Sequence, residues 1–197
     1  MLSASRLILL LILTYLSMCS AGSSQPAGSN ISSPQKEASM FQLKSNAFQA
    51  EGSIPSRFTC EAENISPELS WSGAPEGTRT FALILHDPDA LHRGGYTHWV
   101  LFNLPATLNQ IPENVPKNST FPGGGVQGKN DDGKSGYTGP CPPSGSHRYY
   151  FHLYAVDRQL DLGENTTKAE LEKALKGHVV GQTELMGRYK KGAGKAA

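Results

Sequence analysis

Thr80-Phe81-Ala82-Leu83-Ile84-Leu85-His86-Asp87 is the stretch on which the fold turns. Five consecutive apolar residues are closed by a histidine and an aspartate. The run is too short for a core helix and shows no 3.6-residue period, so it reads as a strand buried on both faces. Two further runs share its character. Tyr96-Thr97-His98-Trp99-Val100-Leu101-Phe102-Asn103-Leu104 is stopped by Pro105. Tyr149-Tyr150-Phe151-His152-Leu153-Tyr154-Ala155-Val156-Asp157 is dense in aromatic and β-branched residues, which suit a pleated, packed surface. Around these three, Met40 to Ser45 alternates as an edge strand does, and Leu69-Ser70-Trp71 is a short strand before a Gly/Pro turn. Pro/Gly-rich connections separate the runs, above all over 112–146.

One helix is signalled. Thr167-Lys168-Ala169-Glu170 is a capping box, Leu171 and Leu175 share a face, and Gly177 is placed to end the helix in a left-handed turn. Residues 178–189 then return as a final strand. The fold class is mainly β, a sandwich with minor helix. Composition agrees. Gly 21 and Pro 13 in 197 residues make about 17% of the chain, against a usual 12%, which argues against a helical bundle. Lys+Arg 18 against Asp+Glu 17 leaves a net charge of +1, so neither a nucleic-acid surface nor an acidic tail is expected.

The ends read differently. Met1 to Arg6 is a short, singly charged n-region, and Leu7 to Leu16 an apolar run of ten. That is too short for a stable membrane span of about 20 residues and right for a signal-peptide core, with cleavage after Ala21. The alternative is a lipoprotein anchored through Cys19, although Met18 stands where a small residue belongs. The expected organisation is a signal peptide over 1–21, a disordered Ser/Gly/Pro-rich linker over 22–39, one folded domain over 40–191 and a tail over 192–197. The mature protein is expected to be exported, periplasmic or secreted. Export leaves Cys60 and Cys141 as the remaining cysteines in an oxidising compartment, where they are expected to bridge. In a reducing compartment both would be free thiols.

Gly128-Lys129-Asn130-Asp131-Asp132-Gly133-Lys134-Ser135 matches GxxxxGK[ST], the phosphate-binding P-loop pattern. That chemistry needs a helix starting at the lysine, to offer its N-terminal N–H groups. Pro140, Pro142 and Pro143 follow too closely for one to form. The segment is expected to be a loop.

Polar clusters stand at the ends of the apolar runs: His86, Asp87 and Asp89; His98; and Gly139-Pro140-Cys141-Pro142-Pro143 leading to His147, Arg148 and Tyr149. A lone strand histidine is usually structural. Carboxylates at the end of a buried strand are costly unless paired, and imidazoles are their natural partners. Asp87-Pro88-Asp89-Ala90, His98-Trp99, Gly139 to Pro143 and His147-Arg148-Tyr149, in this order, resemble the phosphatidylethanolamine-binding protein (PEBP) family, best its prokaryotic, Raf kinase inhibitor-like branch. Ile54 to Cys60, Asn64 to Pro67 and Leu153-Tyr154-Ala155 fit the same branch, and the resemblance covers the whole folded unit.

The resemblance implies a β-sandwich with one or more peripheral helices and a small anion pocket at one end. Asp87, Asp89, His98, His147 and Tyr149 would line it, and the loop carrying Gly139 and Pro142 would form its wall. Asp87 would hold His98 or His147 in its donor tautomer. Such pockets take phosphate-bearing groups, phospholipid head groups among them, and some members inhibit kinases or proteases, which would make an enzyme a partner. Leu91 departs from the family's usual proline and is followed by His92 and Arg93, which would place a positive charge on the rim; His86 reads as a surface residue. The alternative is a metal-dependent hydrolase using the Asp/His cluster. No H-x-H, H-E-x-x-H, C-x-x-C or G-x-S-x-G pattern supports catalysis. A binding protein without metal or cofactor is therefore the expectation.

Overall fold

The computed structural model describes residues 40–192. Two antiparallel sheets face one another. The smaller has the order β1-β2-β5, from β1 (Gln42–Lys44), β2 (Leu69–Ser72) and β5 (Gln110–Ile111). The larger has the order β6-β4-β3-β7-β8, from β3 (Thr80–Asp87), β4 (Tyr96–Pro105), β6 (Val126–Gln127), β7 (His147–Val156) and β8 (Val179–Tyr189). The β3 run lies at the centre of the larger sheet, paired on both sides.

Its unbroken hydrophobicity follows from that position. Phe81, Leu83 and Leu85 point into the core against Leu43, Leu69, Trp71 and Ile111 of the smaller sheet. Ala82 and Ile84 point the other way and pack with Val100, Phe102 and the helix residues Leu171 and Leu175. Side chains alternate faces along a strand, so a strand covered on both sides must be apolar throughout. β7 is covered tightly on one face only, and its burial alternates.

α1 (Lys168–Leu175) carries the expected capping box: Glu170 N–H donates to the Thr167 hydroxyl, and Thr167 N–H donates to the Glu170 carboxylate at 2.8 Å. Gly177 follows with φ +81°, the left-handed turn that returns the chain to β8. β5 and β6 carry no strand signal in the sequence, because two residues have no period. β6 is held instead by Gln127, fully buried, whose side chain accepts from the Trp99 indole N–H at 2.8 Å and donates to Pro116 O at 2.7 Å. The segment with the P-loop pattern is a tight turn closed by a bridge between Lys129 and Ser135, with no helix after it. Cys60 and Cys141 form the disulfide, with Cα atoms 5.4 Å apart and a sequence separation of 81. Among the described residues no helix is long and apolar enough to cross a membrane. The signal-peptide, linker and Cys19 readings fall outside the described residues, as do the last five residues of the tail.

Candidate functional site

β3, β4 and β7 end together, and a cavity of about 410 Å³ opens there. Asp87 is the last residue of β3 and His147 the first of β7. His98 arrives by a different device. Leu85 pairs with Trp99 and His86 with Thr97, which leaves His98 with no residue opposite it. Such a bulge re-aims a side chain, and here it brings an imidazole into the cavity from a strand that is otherwise core.

The two imidazoles are held by different partners. His147 Nδ1 lies 2.8 Å from the Asp87 carboxylate; both residues are buried, 8% and 3% exposed. His98 Nδ1 lies 2.8 Å from Thr138 O. A carbonyl only accepts, so Nδ1 of His98 carries the hydrogen, and in the neutral ring Nε2 is left as a lone pair. Burial lowers the His98 pKa from its ordinary value, the strongest influence on it, and keeps the ring neutral at pH 7. This corrects the donor role expected of His98: toward the cavity a neutral His98 accepts. His147 offers an N–H at Nε2 only when doubly protonated, and Asp87 then stands against its charge. No hydrogen bond reaches either Nε2 from the described residues.

Tyr149 stands behind these rings, its ring centroid 5.3 Å from that of His98 and 6.5 Å from that of His147. It is packed in the core rather than on the cavity wall. Its hydroxyl is buried beside the Asp87 carboxylate and the Cys141 backbone. Burial first, then the Asp87 charge, raises its pKa well above the ordinary phenol range, so it remains an O–H donor.

Asp89 faces elsewhere. Its carboxylate accepts from Arg148 Nε at 2.9 Å, Nη2 at 2.6 Å and backbone N–H at 2.9 Å, and it is not among the cavity's lining residues. The Arg148 hydrogen bonds, as the largest influence, hold its pKa down to about 2. Asp89 therefore clamps the start of β7 to the turn after β3, a positioning role for His147.

Gly139, Cys141, Pro142 and Pro143 line one side of the cavity. A Cβ on Gly139 would lie 2.9 Å from Thr59 Cα, so glycine is what lets this loop lie against 58–60. Both cysteines line the cavity, and the bridge ties its wall to the N-terminal part of the fold. The opposite rim is made by Ala90, Leu91, His92 and Tyr96. Leu91 is 90% exposed, an apolar group held out to solvent at the mouth. Arg93 does not line the cavity. Tyr96 and Thr138 are not legible as site residues in the sequence, since an aromatic opening a strand and a threonine in a Gly/Pro loop carry no distinctive pattern.

His86 is a correction. It is half-buried on the other side of β3, and its Nδ1 is buried without a partner. A Cβ on Gly95 would come 2.7 Å from its ring, so that glycine makes room for it. Among the described residues no three His, Cys, Asp or Glu side chains are grouped as metal ligands.

Comparison with known proteins agrees with this architecture. The sequence model of the phosphatidylethanolamine-binding protein family matches residues 44–190. A UPF0098 protein of Methanothermobacter thermautotrophicus is 51% identical over 152 residues, 77% of this chain and the whole of that one. The crystal structure of a PEBP homologue from Chlamydia trachomatis is 38% identical with a TM-score of 0.71, covering 77% of this chain and 97% of that one. Escherichia coli YbcL, described as a new member of the mammalian PEBP family, is 34% identical with a TM-score of 0.72, covering 76% and 98%. With sequence and sandwich matched over the same span, the chain belongs to the phosphatidylethanolamine-binding protein family.

Proposed function

We propose that the cavity binds a phosphate-bearing group, a phospholipid head group or another small phosphate ester, and that the protein acts by binding rather than by catalysis. The observation that carries this reading is His147, fixed through Nδ1 to Asp87 and left with an unpartnered Nε2 in a cavity shared with His98. A charged His147 donates from Nε2 to a phosphate oxygen. His98 accepts from a protonated phosphate oxygen or an ammonium group. Ala90, Leu91, Pro142 and Pro143 offer apolar contact to the organic part of an ester.

Catalysis finds less support. Asp87 and Asp89 are both engaged, and Cys141 is oxidised. The exposed disulfide fits an exported protein. Calorimetry with phosphoethanolamine tests the reading. His147→Ala and His98→Ala are each expected to lose binding while keeping the wild-type circular dichroism spectrum. Undiminished binding in both would overturn the placement. Turnover of a phosphate ester that depends on His147 would replace binding by catalysis.

A further inference from the structure

The turn with the P-loop pattern does not bind as a P-loop does, yet it builds one side of a second cleft, of about 610 Å³. The cleft lies beside the first cavity and shares Thr138 and Asp132 with it. Its frame is held by hydrogen bonds from a buried asparagine. Asn130, 4% exposed, accepts from Asp132 N–H at 3.1 Å and Lys134 N–H at 3.0 Å, and donates to Gly136 O at 3.2 Å and Thr138 Oγ1 at 3.0 Å. Every hydrogen-bonding site on its side chain is used within the turn. Gly136 has φ +97°, and a Cβ there would come 2.7 Å from Lys117 Cα. Glycine is thus what lets the segment carrying Lys117 close against the turn.

Three lysines line this frame: Lys117, Lys129 and Lys134. Lys117 Nζ donates to Asn64 O at 2.6 Å and Lys129 Nζ to Ser135 Oγ at 3.2 Å, both uncharged acceptors. None of the three forms an ion pair among the described residues. Asp132 and Glu164 share the lining, but Asp132 is bonded to the Tyr96 hydroxyl on the side of the first cavity. Burial, and after it the charge of Lys134, lowers the Lys117 pKa. Like charges so placed repel, and a multiply charged anion between them removes the repulsion.

We infer that this cleft is a second anion site, for a compact polyanion of the oligophosphate class. Lysine ammonium groups act as point charges, so the site reads the density of negative charge rather than a planar oxygen pair, and an oligophosphate carries the most charge in the least volume. Asn118, Ser119 and Ser135 add polar side chains to the lining. The one aromatic ring in the lining is Tyr137, itself 1% exposed, so no stacking surface for a nucleobase is on offer. The phosphates are what this site reads.

The test is calorimetry of the full chain with inorganic pyrophosphate, with amide shifts followed by NMR. Pyrophosphate is expected to shift the amides of 117–119 and 129–135. Lys117→Gln and Lys134→Gln each remove one charge-assisted hydrogen bond and are expected to weaken pyrophosphate binding about tenfold. Both should leave phosphoethanolamine affinity in the first cavity unchanged. Lys117 and Lys134 are exposed residues, only the Lys117 ammonium being partly covered, and both variants are expected to keep the wild-type circular dichroism spectrum. His98→Ala is expected to do the reverse. A nucleoside diphosphate should bind no more tightly than pyrophosphate. The inference is overturned if pyrophosphate does not bind, if phosphoethanolamine competes with it one for one, if the lysine variants bind it undiminished, or if only the nucleotide binds.

Discussion

One strand, β7, has a histidine–carboxylate pair at each end. His147 meets Asp87 at 2.8 Å where β7 begins, and His178 meets Asp157 at 3.1 Å just beyond where it ends. The chemistry is the same and the surroundings are not. The side chains of the first pair are 10% and 4% exposed; those of the second, 33% and 43%. The remaining nitrogen of His178 is approached by the Arg158 guanidinium at 3.4 Å, while that of His147 is left without a partner in the cavity. Distance alone would rank the two pairs together. Burial and the unpartnered nitrogen separate them, making one end a surface contact and the other the candidate site. Only the first end is also cross-linked, by Cys60–Cys141.

The strongest way to break this contrast is to cut the cross-link. Cys60→Ser with Cys141→Ser is expected to lower stability by up to about 4 kcal/mol, the chain-entropy figure for a loop of this length. It should also weaken phosphoethanolamine binding, because Pro142 and Pro143 lie in the loop that the bridge tethers. Urea denaturation of the native and double-mutant proteins measures the first effect. An unchanged midpoint would mean that the loop is held without the bridge.

Removing a carboxylate at each end tests burial directly. Asp87→Ala leaves a buried imidazole without its partner and is expected to cost about 3 kcal/mol. Asp157→Ala, in solvent, should stay within about 0.5 kcal/mol. Equal losses in thermal unfolding would show that burial does not separate the pairs.

Acidification sharpens the contrast through His98. Its folded pKa is lowered from the ordinary 6.5, so the unfolded chain binds the proton more readily. Stability therefore holds above pH 6.5 and declines as pH falls below it. His86 and His152, whose pKa values burial also lowers, add in the same direction. Denaturation midpoints measured from mildly basic to mildly acidic pH should fall for the wild type and fall less for His98→Gln. A midpoint that rises on acidification would reverse the sign.

The smallest change concerns the helix that delivers His178 through the turn at Gly177. Thr167→Ala removes the capping box and is expected to cost about 1 kcal/mol with no effect on binding at the other end. Any loss of phosphoethanolamine affinity would show that the two ends are coupled.

Much of this molecule is determined by sequence alone. Continuous apolar runs can be satisfied only by burial on two faces, so β3 and β4 are legible as central strands, and the capping box and Gly177 mark α1 at both ends. The pairing of Cys60 with Cys141 follows from sequence only through the expectation that the chain is exported. The family motifs name Asp87, His98 and His147 together. Partnership is left to tertiary structure, because a hydrogen bond depends on which atoms the packed strands bring within about 3 Å, and sequence spacing does not encode that. Sequence leaves Asp87 open to either histidine; the fold gives it to His147 and gives His98 to Thr138 O. It puts Asp89 in the pocket; the fold turns it to Arg148. Strict alternation along β4 would put His98 on the same face as Val100; a one-residue bulge, set by pairing with β3, re-aims it. The lysine cleft is invisible in the sequence for the same reason. Lys129 and Lys134 share one turn, but Lys117 stands 17 residues before Lys134, and the close approach allowed by Gly136 brings it to them.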